Sequence, residues 1–141
     1  MTTRVSYNLK DALLIKEIAL PAAAGTIESE AFDLESIGQR GVRIDPFELL
    51  IIAPEADAAG LPAGATNTFS LQFSDTSDFS GDVTEWTSDP TWQQAGSANG
   101  AEEFERRFRV QTDAPRYVRV KCVTAGSAAQ TGKMFQFAIV T

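Results

Sequence analysis

The clearest pattern in the chain is an alternation of apolar and polar positions over its last forty residues. Over 104–110, Phe104, Phe108 and Val110 share one face with Arg106, while Glu103, Glu105, Arg107 and Arg109 share the other. Over 117–123 the apolar face is Val118, Val120 and Cys122, with Tyr117, Arg119 and Lys121 opposite. Over 133–140 the stripe is Phe135, Phe137 and Ile139, with Met134, Gln136 and Ala138 on the other side. A period of two is that of a β-strand, whose successive side chains leave opposite faces. The turn-forming groups Thr112, Asp113, Ala114, Pro115 and Ala125, Gly126, Ser127 separate the three strands.

The earlier chain reads less uniformly. Residues 1–12 show no clear apolar period and predict an N-terminal arm, with one domain over 13–141. Residues 13–20 suit a single helical turn or a strand, and Pro21 ends either. Residues 26–34 predict a strand, and 35–46 an irregular connection containing Gly38, Gly41 and Pro46. The run 47–53, rich in leucine and isoleucine, predicts a central buried strand closed by Pro54. After a loop over 55–66, alternation resumes with Phe69, Leu71 and Phe73. Residues 74–100 are weakly patterned, and a gap of that length inside one domain is either functional or contains short strands; 83–87 and 91–95 are the candidates. About eight strands with long connections predict an all-β, two-sheet, jelly-roll-like sandwich, with a closed barrel as the other architecture.

Composition narrows the chemistry. The 141 residues contain no histidine, which excludes a Ser-His-Asp triad, a Cys-His pair and His-ligated zinc or haem. The single cysteine, Cys122, can form no intrachain disulfide and sits on the inward stripe of a predicted strand, as a small buried hydrophobe would. The longest apolar runs, 12–15 and 49–53, are too short to cross a bilayer, and the N-terminus carries no standard export signal. The expectation is a protein that folds in the cytoplasm and does not bind membranes.

Charge is segregated. Residues 44–105 hold twelve carboxylates and no Lys or Arg, whereas 106–121 hold six basic residues and one acid, Asp113. A net charge of −7 disfavours binding to nucleic-acid phosphates. The segregation predicts either two solvated faces of opposite sign or a head-to-tail contact between copies. Arg107, Arg109, Tyr117, Arg119 and Lys121 are the candidates for a trimer or capsid interface, because Arg and Tyr are enriched where proteins meet.

Three other groupings carry candidate chemistry. Asp75, Asp78 and Asp82 lie in a turn-rich stretch that offers oxygen ligands to calcium, without the spacing or terminal glutamate of an EF-hand loop; Asx and ST turns explain the same residues. Trp86 and Trp92, with Phe79 and the acids Asp75 and Asp78 nearby, suit either a sugar-stacking platform or the core. Nineteen acids leave a glycosidase pair open, but no spacing singles one out.

With the strands placed, the chain resembles a known group. The order of an arm, then Ala31, Phe32, Asp33 and Leu34, then 69–74 (FSLQFS) with Phe79 after it, then 115–120 (PRYVRV) and a final 132–140 (GKMFQFAIV) is similar to the capsid decoration, or cement, proteins of tailed bacteriophages. The likeness is to the jelly-roll type known from podoviruses such as a Bordetella phage. It implies a non-enzymatic virion protein without cofactors, a homotrimer on the outer capsid surface that binds the major capsid protein and ties capsomers together. It also implies that loops and the arm make the contacts, so Thr2, Thr3, Arg4, Tyr7 and Lys10 are the candidate capsid-contact residues. The alternative is a carbohydrate- or receptor-binding jelly-roll domain of a phage tail fibre, which would use Trp86, Trp92, Asp75 and Asp78.

Overall fold

A computed structural model of the chain describes residues 15–34, 48–110 and 114–140. The predicted arm, 1–12, lies outside them, and so do the five arm residues singled out for capsid contact. The described residues form ten strands: β1 (Ile15–Ala19), β2 (Gly25–Glu28), β3 (Phe32–Asp33), β4 (Glu48–Ala53), β5 (Thr66–Ser74), β6 (Val83–Trp86), β7 (Trp92–Ala95), β8 (Phe104–Arg109), β9 (Tyr117–Ala125) and β10 (Met134–Val140). The ambiguous segment before Pro21 is therefore a strand.

Every pairing is antiparallel, and the strands divide into two sheets. One has the order β1-β10-β4-β8. The other has the order β2-β9-β5-β6, with β3 also on β9 and β7 also on β5. Joining β2 to β3 and β6 to β7 as interrupted strands leaves eight. In that count the two orders become 1-8-3-6 and 2-7-4-5, the doubled Greek key of a jelly roll.

Each interruption has a local cause. Between the pairs Glu28↔Lys121 and Phe32↔Val118 the β2–β3 side advances four residues while β9 advances three, so one extra residue is inserted, as in a β-bulge. Ser29 stabilises it: its backbone N–H donates to the Val120 carbonyl at 2.9 Å, and its hydroxyl accepts the Val120 N–H at 3.0 Å. The predicted single strand over 26–34 is split at this point. Between Leu71↔Trp86 and Phe69↔Trp92 the β6–β7 side makes an excursion through 87–91, which contains the cis Asp89–Pro90 peptide.

The core lies between the sheets and is built from aromatic contacts across the gap. Phe69 of β5 stacks on Phe104 at 5.6 Å and meets Phe135 edge-on at 5.2 Å. Phe32 packs on Phe137 at 5.1 Å, and Phe73 on Phe108 at 5.9 Å. Such pairs add to area burial by about 0.5–1.5 kcal/mol each. Leu49, Ile51, Leu71, Val118, Val120, Cys122 and Ile139 fill the space around the rings.

One end of the sandwich is closed by a buried network of neutral side chains. The Asn67 amide nitrogen donates to Gln94 Oε1 at 3.0 Å and to Gln130 Oε1 at 2.8 Å. Its Oδ1 accepts from the Thr124 hydroxyl at 2.6 Å and from Gln130 Nε2 at 3.1 Å. Gln94 Nε2 reaches the carbonyls of Pro54 and Glu102, and Gln130 Nε2 that of Pro21. Four inter-strand connections are thereby tied to one asparagine. Gly100 is required nearby: it has φ 92°, and a Cβ there would run into the Ala56 carbonyl oxygen.

Candidate interaction surface

The alternation that buries Val118, Val120 and Cys122 places Tyr117, Arg119 and Lys121 on the outer face of the six-stranded sheet. The same rule applied to β8 places Arg107 and Arg109 on the outer face of the four-stranded sheet. The five residues expected as one interface thus fall on two opposite sides of the sandwich. Sequence periodicity assigns a face within a strand; it does not say to which sheet the strand belongs.

On the six-stranded side the charged residues form a connected ladder. Arg119 Nε donates to Gln72 Oε1 at 2.7 Å, and its Nη2 lies 3.3 Å from Glu28 Oε2. Gln72 Nε2 donates to Glu85 Oε1 at 3.2 Å, the Ser70 hydroxyl to Glu85 Oε2 at 3.4 Å, and Lys121 Nζ to Glu85 Oε1 at 3.5 Å. Phe79 lies over this ladder, its ring centroid 4.0 Å from the Arg119 guanidinium carbon. It takes φ 58°, a left-handed conformation uncommon for a bulky residue. The loop thus sets an aromatic ring against a cation, an arrangement worth about 0.5–2 kcal/mol.

The amide of Gln72, with Lys121 contributing after it, holds the Glu85 carboxyl below its ordinary value of 4.5. A carboxylate lowered in the folded state contributes stability above the unfolded value and loses it as pH falls through the folded one. Because Glu85 is largely solvated, the contribution is under about 1 kcal/mol. Glu85→Gln is expected to lower the melting temperature slightly at neutral pH and by less at about pH 3. Parallel melts at the two pH values check this.

On the opposite side Arg107 reaches Glu48 at 3.0 Å and Glu105 at 3.7 Å. Arg106, on the core-facing side of β8, turns out to solvent with its guanidinium 4.1 Å from the Phe104 ring. The two blocks of opposite charge therefore meet within one chain: Glu48 with Arg107, and Glu85 with Lys121. Arg106 and Arg109 make no ion pair with any described residue, which leaves β8 with the least compensated positive charge among the described strands. The chain matches no protein-family model and no curated protein sequence.

The other candidate groups take ordinary structural positions. Trp92 is 6% exposed, and Trp86 is half-buried against it at 4.9 Å and against Phe108 at 4.5 Å. Both indoles belong to the edge of the core. Asp78 Oδ1 accepts the Ser80 N–H at 3.0 Å in a turn, and Asp75 Oδ1 accepts the Arg116 N–H at 3.3 Å. These two carboxylates serve different partners, and among the described residues no three His, Cys, Asp or Glu side chains converge as a metal site requires. Serine and backbone hydrogen bonds at Ser80 lower the Asp78 pKa. A recess lined by Leu20, Pro54, Glu55, Asp57, Gly60, Gln130 and Lys133 has a volume of only about 10 Å³.

Burial raises the Cys122 thiol to about 12. The reactive thiolate is therefore scarce at neutral pH. Cys122 is expected to resist a disulfide-exchange reagent at about pH 8 in the native protein and to react fully in denaturant; titration of the released chromophore measures both.

The sequence reading did not single out Asn67, Gln94, Thr124 or Gln130. A signal for three of them was present. Asn67 continues the stripe of Phe69 and Leu71, Thr124 that of Val120 and Cys122, and Gln94 follows Trp92 by two. A polar residue on an apolar stripe is a buried polar group in need of partners.

Proposed function

We propose that the protein is a non-enzymatic capsid decoration protein. In this reading it acts as a homotrimer on the outer surface of a phage capsid and ties neighbouring capsomers together. The observation that carries the reading is a jelly roll whose interior is filled by interlocked rings, with its charged groups on the outer faces and rims. A fold alone names no function. The order of the sequence segments that resemble decoration proteins adds the second support, and four of them, 31–34, 69–74, 115–120 and 132–140, fall on or at the ends of β3, β5, β9 and β10. A rigid body with charged faces can make many weak contacts, and trimerisation multiplies them into durable attachment.

The tail-fibre alternative drew on an exposed pair of indoles beside acids. With Trp92 buried and Trp86 packed against it, no observation favours that reading over the first.

The test has two parts. Sedimentation equilibrium is expected to give three times the mass of the chain, and co-sedimentation is expected to show binding to expanded capsids and none to immature ones. A monomer that ignores both particles would overturn the proposal.

A further inference from the structure

The tight turn at 97–100 contains the chain's one Asn-Gly step, Asn99–Gly100. The Ser97 N–H donates to the Gly100 carbonyl at 2.8 Å and the Gly100 N–H to the Ser97 carbonyl at 3.0 Å, so Ala98 and Asn99 form the loop between them. Neither has a positive φ, whereas Gly100 takes φ 92°. That is the pattern of a type I turn followed by a left-handed bulge residue. Ala98 and Asn99 are exposed and Gly100 is buried. The Asn99 backbone N–H donates to Ser97 Oγ at 3.2 Å, but the Asn99 carboxamide has no hydrogen-bond partner among the described residues. It is free to swing toward the backbone nitrogen that follows it, and glycine offers no side chain to block the approach. The other asparagines differ. Asn67 is held at both ends of its amide by Gln94, Gln130 and Thr124 and precedes the β-branched Thr68. Asn8, outside the described residues, precedes Leu9, whose side chain crowds the nitrogen.

We propose that Asn99 is a modification site, at which the protein rearranges its own backbone through a cyclic imide. The Gly100 nitrogen gives its proton to solvent base and attacks Asn99 Cγ. An N–Cγ bond forms, the Cγ–Nδ2 bond breaks, and the amide nitrogen takes a proton from water and leaves as ammonia. Water then opens the five-membered ring at one of its two carbonyls. Opening at Cγ of the imide restores the ordinary backbone with aspartate at 99; opening at the main-chain carbonyl leaves the chain running through Cβ and Cγ, an isoaspartate. The reaction needs the Gly100 N–H released from Ser97, so a local opening of the loop precedes it.

Isoaspartate is the product the fold cannot accept. Its extra backbone carbon enters directly before Gly100, where space is lacking: a Cβ on Gly100 would run into the Ala56 carbonyl oxygen and lie 2.6 Å from the Asp57 carbonyl carbon. The segment it displaces carries the two 2.9 Å bonds between Ala56 and Ala101. It also carries Glu102, whose carbonyl accepts from Gln94 of the buried network. The inference concerns the isolated chain and stands apart from the capsid reading.

The test is to age the full-length protein in mildly alkaline buffer, native and in urea, and to follow it by peptide mapping and by enzymatic methylation specific for isoaspartate. In the native protein conversion is expected at Asn99 ahead of Asn8 and Asn67, faster as pH rises. It is expected to be roughly tenfold slower than in urea, because a hydrogen bond must open first. The isoaspartate form, separated by ion exchange, is expected to melt roughly 3–8 °C below the parent. N99D, which adds the charge without the extra backbone carbon, is expected to melt close to the parent, and N99Q to stay unmodified. An intact Asn99 in native protein long after conversion in urea is complete would overturn the proposal, as would earlier conversion at Asn8 or Asn67. An isoaspartate form that melts with N99D would sink the claim that the turn has no room for the longer backbone.

Discussion

Phe69→Ala is expected to cost about 3–5 kcal/mol of folding stability, the range for truncating a buried aromatic residue. The site explains why the upper part of that range applies. Phe69 is fully buried, and its ring touches Phe104 and Phe135 of the opposing sheet at 5.6 and 5.2 Å. Its removal opens a cavity between two sheets, each stiffened by its own hydrogen-bond ladder, so neither can collapse readily into the space. A domain of this size has a total stability of roughly 5–15 kcal/mol, so the variant stands near the limit of folding at 37 °C. Denaturant unfolding is expected to show a lower midpoint with an unchanged slope. Phe69→Leu, which keeps most of the buried area, is expected to lose much less. A midpoint within error of the parent for Phe69→Ala would mean that the two sheets are not held together as described.

The second large effect is expected at Asn67→Leu. The two side chains are similar in size, so the loss is almost purely one of hydrogen bonding. Leucine leaves Gln94 Oε1, Gln130 Oε1 and the Thr124 hydroxyl without the partner they have now. Each buried unsatisfied group costs about 1–3 kcal/mol. The costs do not add, because Gln130 and Thr124 can still bond to each other at 3.4 Å. A total of about 3–4 kcal/mol follows from two unsatisfied groups. Hydrogen exchange supplies the readout specific to the network: protection should fall first around Pro54, Glu102 and Gln130, and only later at the centre of β5. The double variant Asn67→Leu/Gln130→Leu should lose less than the sum of the single changes, because both remove the same bonds. No residue in this cluster titrates, so the loss is expected to be the same from acid to neutral pH.

The parts of the fold legible in the sequence were those where one sheet face meets the core and the other meets water. In β8, β9 and β10 that contrast writes a period of two directly into the chain. β4 was legible for the opposite reason, as a continuous apolar run buried on both faces. The division of 26–34 into β2 and β3 was not legible, because it depends on the Ser29 hydroxyl meeting the Val120 amide of a strand some ninety residues away. The opposite placement of Arg107 and Arg119 was hidden for a similar reason: adjacent strands in sequence, β8 and β9, belong to different sheets. The tryptophans were ambiguous because local composition cannot distinguish an indole that stacks on a ligand from one that stacks on another indole.

The two interrupted strands have a consequence for crowding. β2–β3 and β6–β7 are the borders of the six-stranded sheet, where unpaired backbone groups would otherwise invite a strand from another molecule. A bulge breaks one border and the 87–91 excursion breaks the other, so neither offers a long straight template. On the second sheet the β8 border carries Glu105, Arg106, Arg107 and Arg109, whose charges repel an identical strand laid alongside. These three borders therefore discourage edge-to-edge pairing between copies at high concentration.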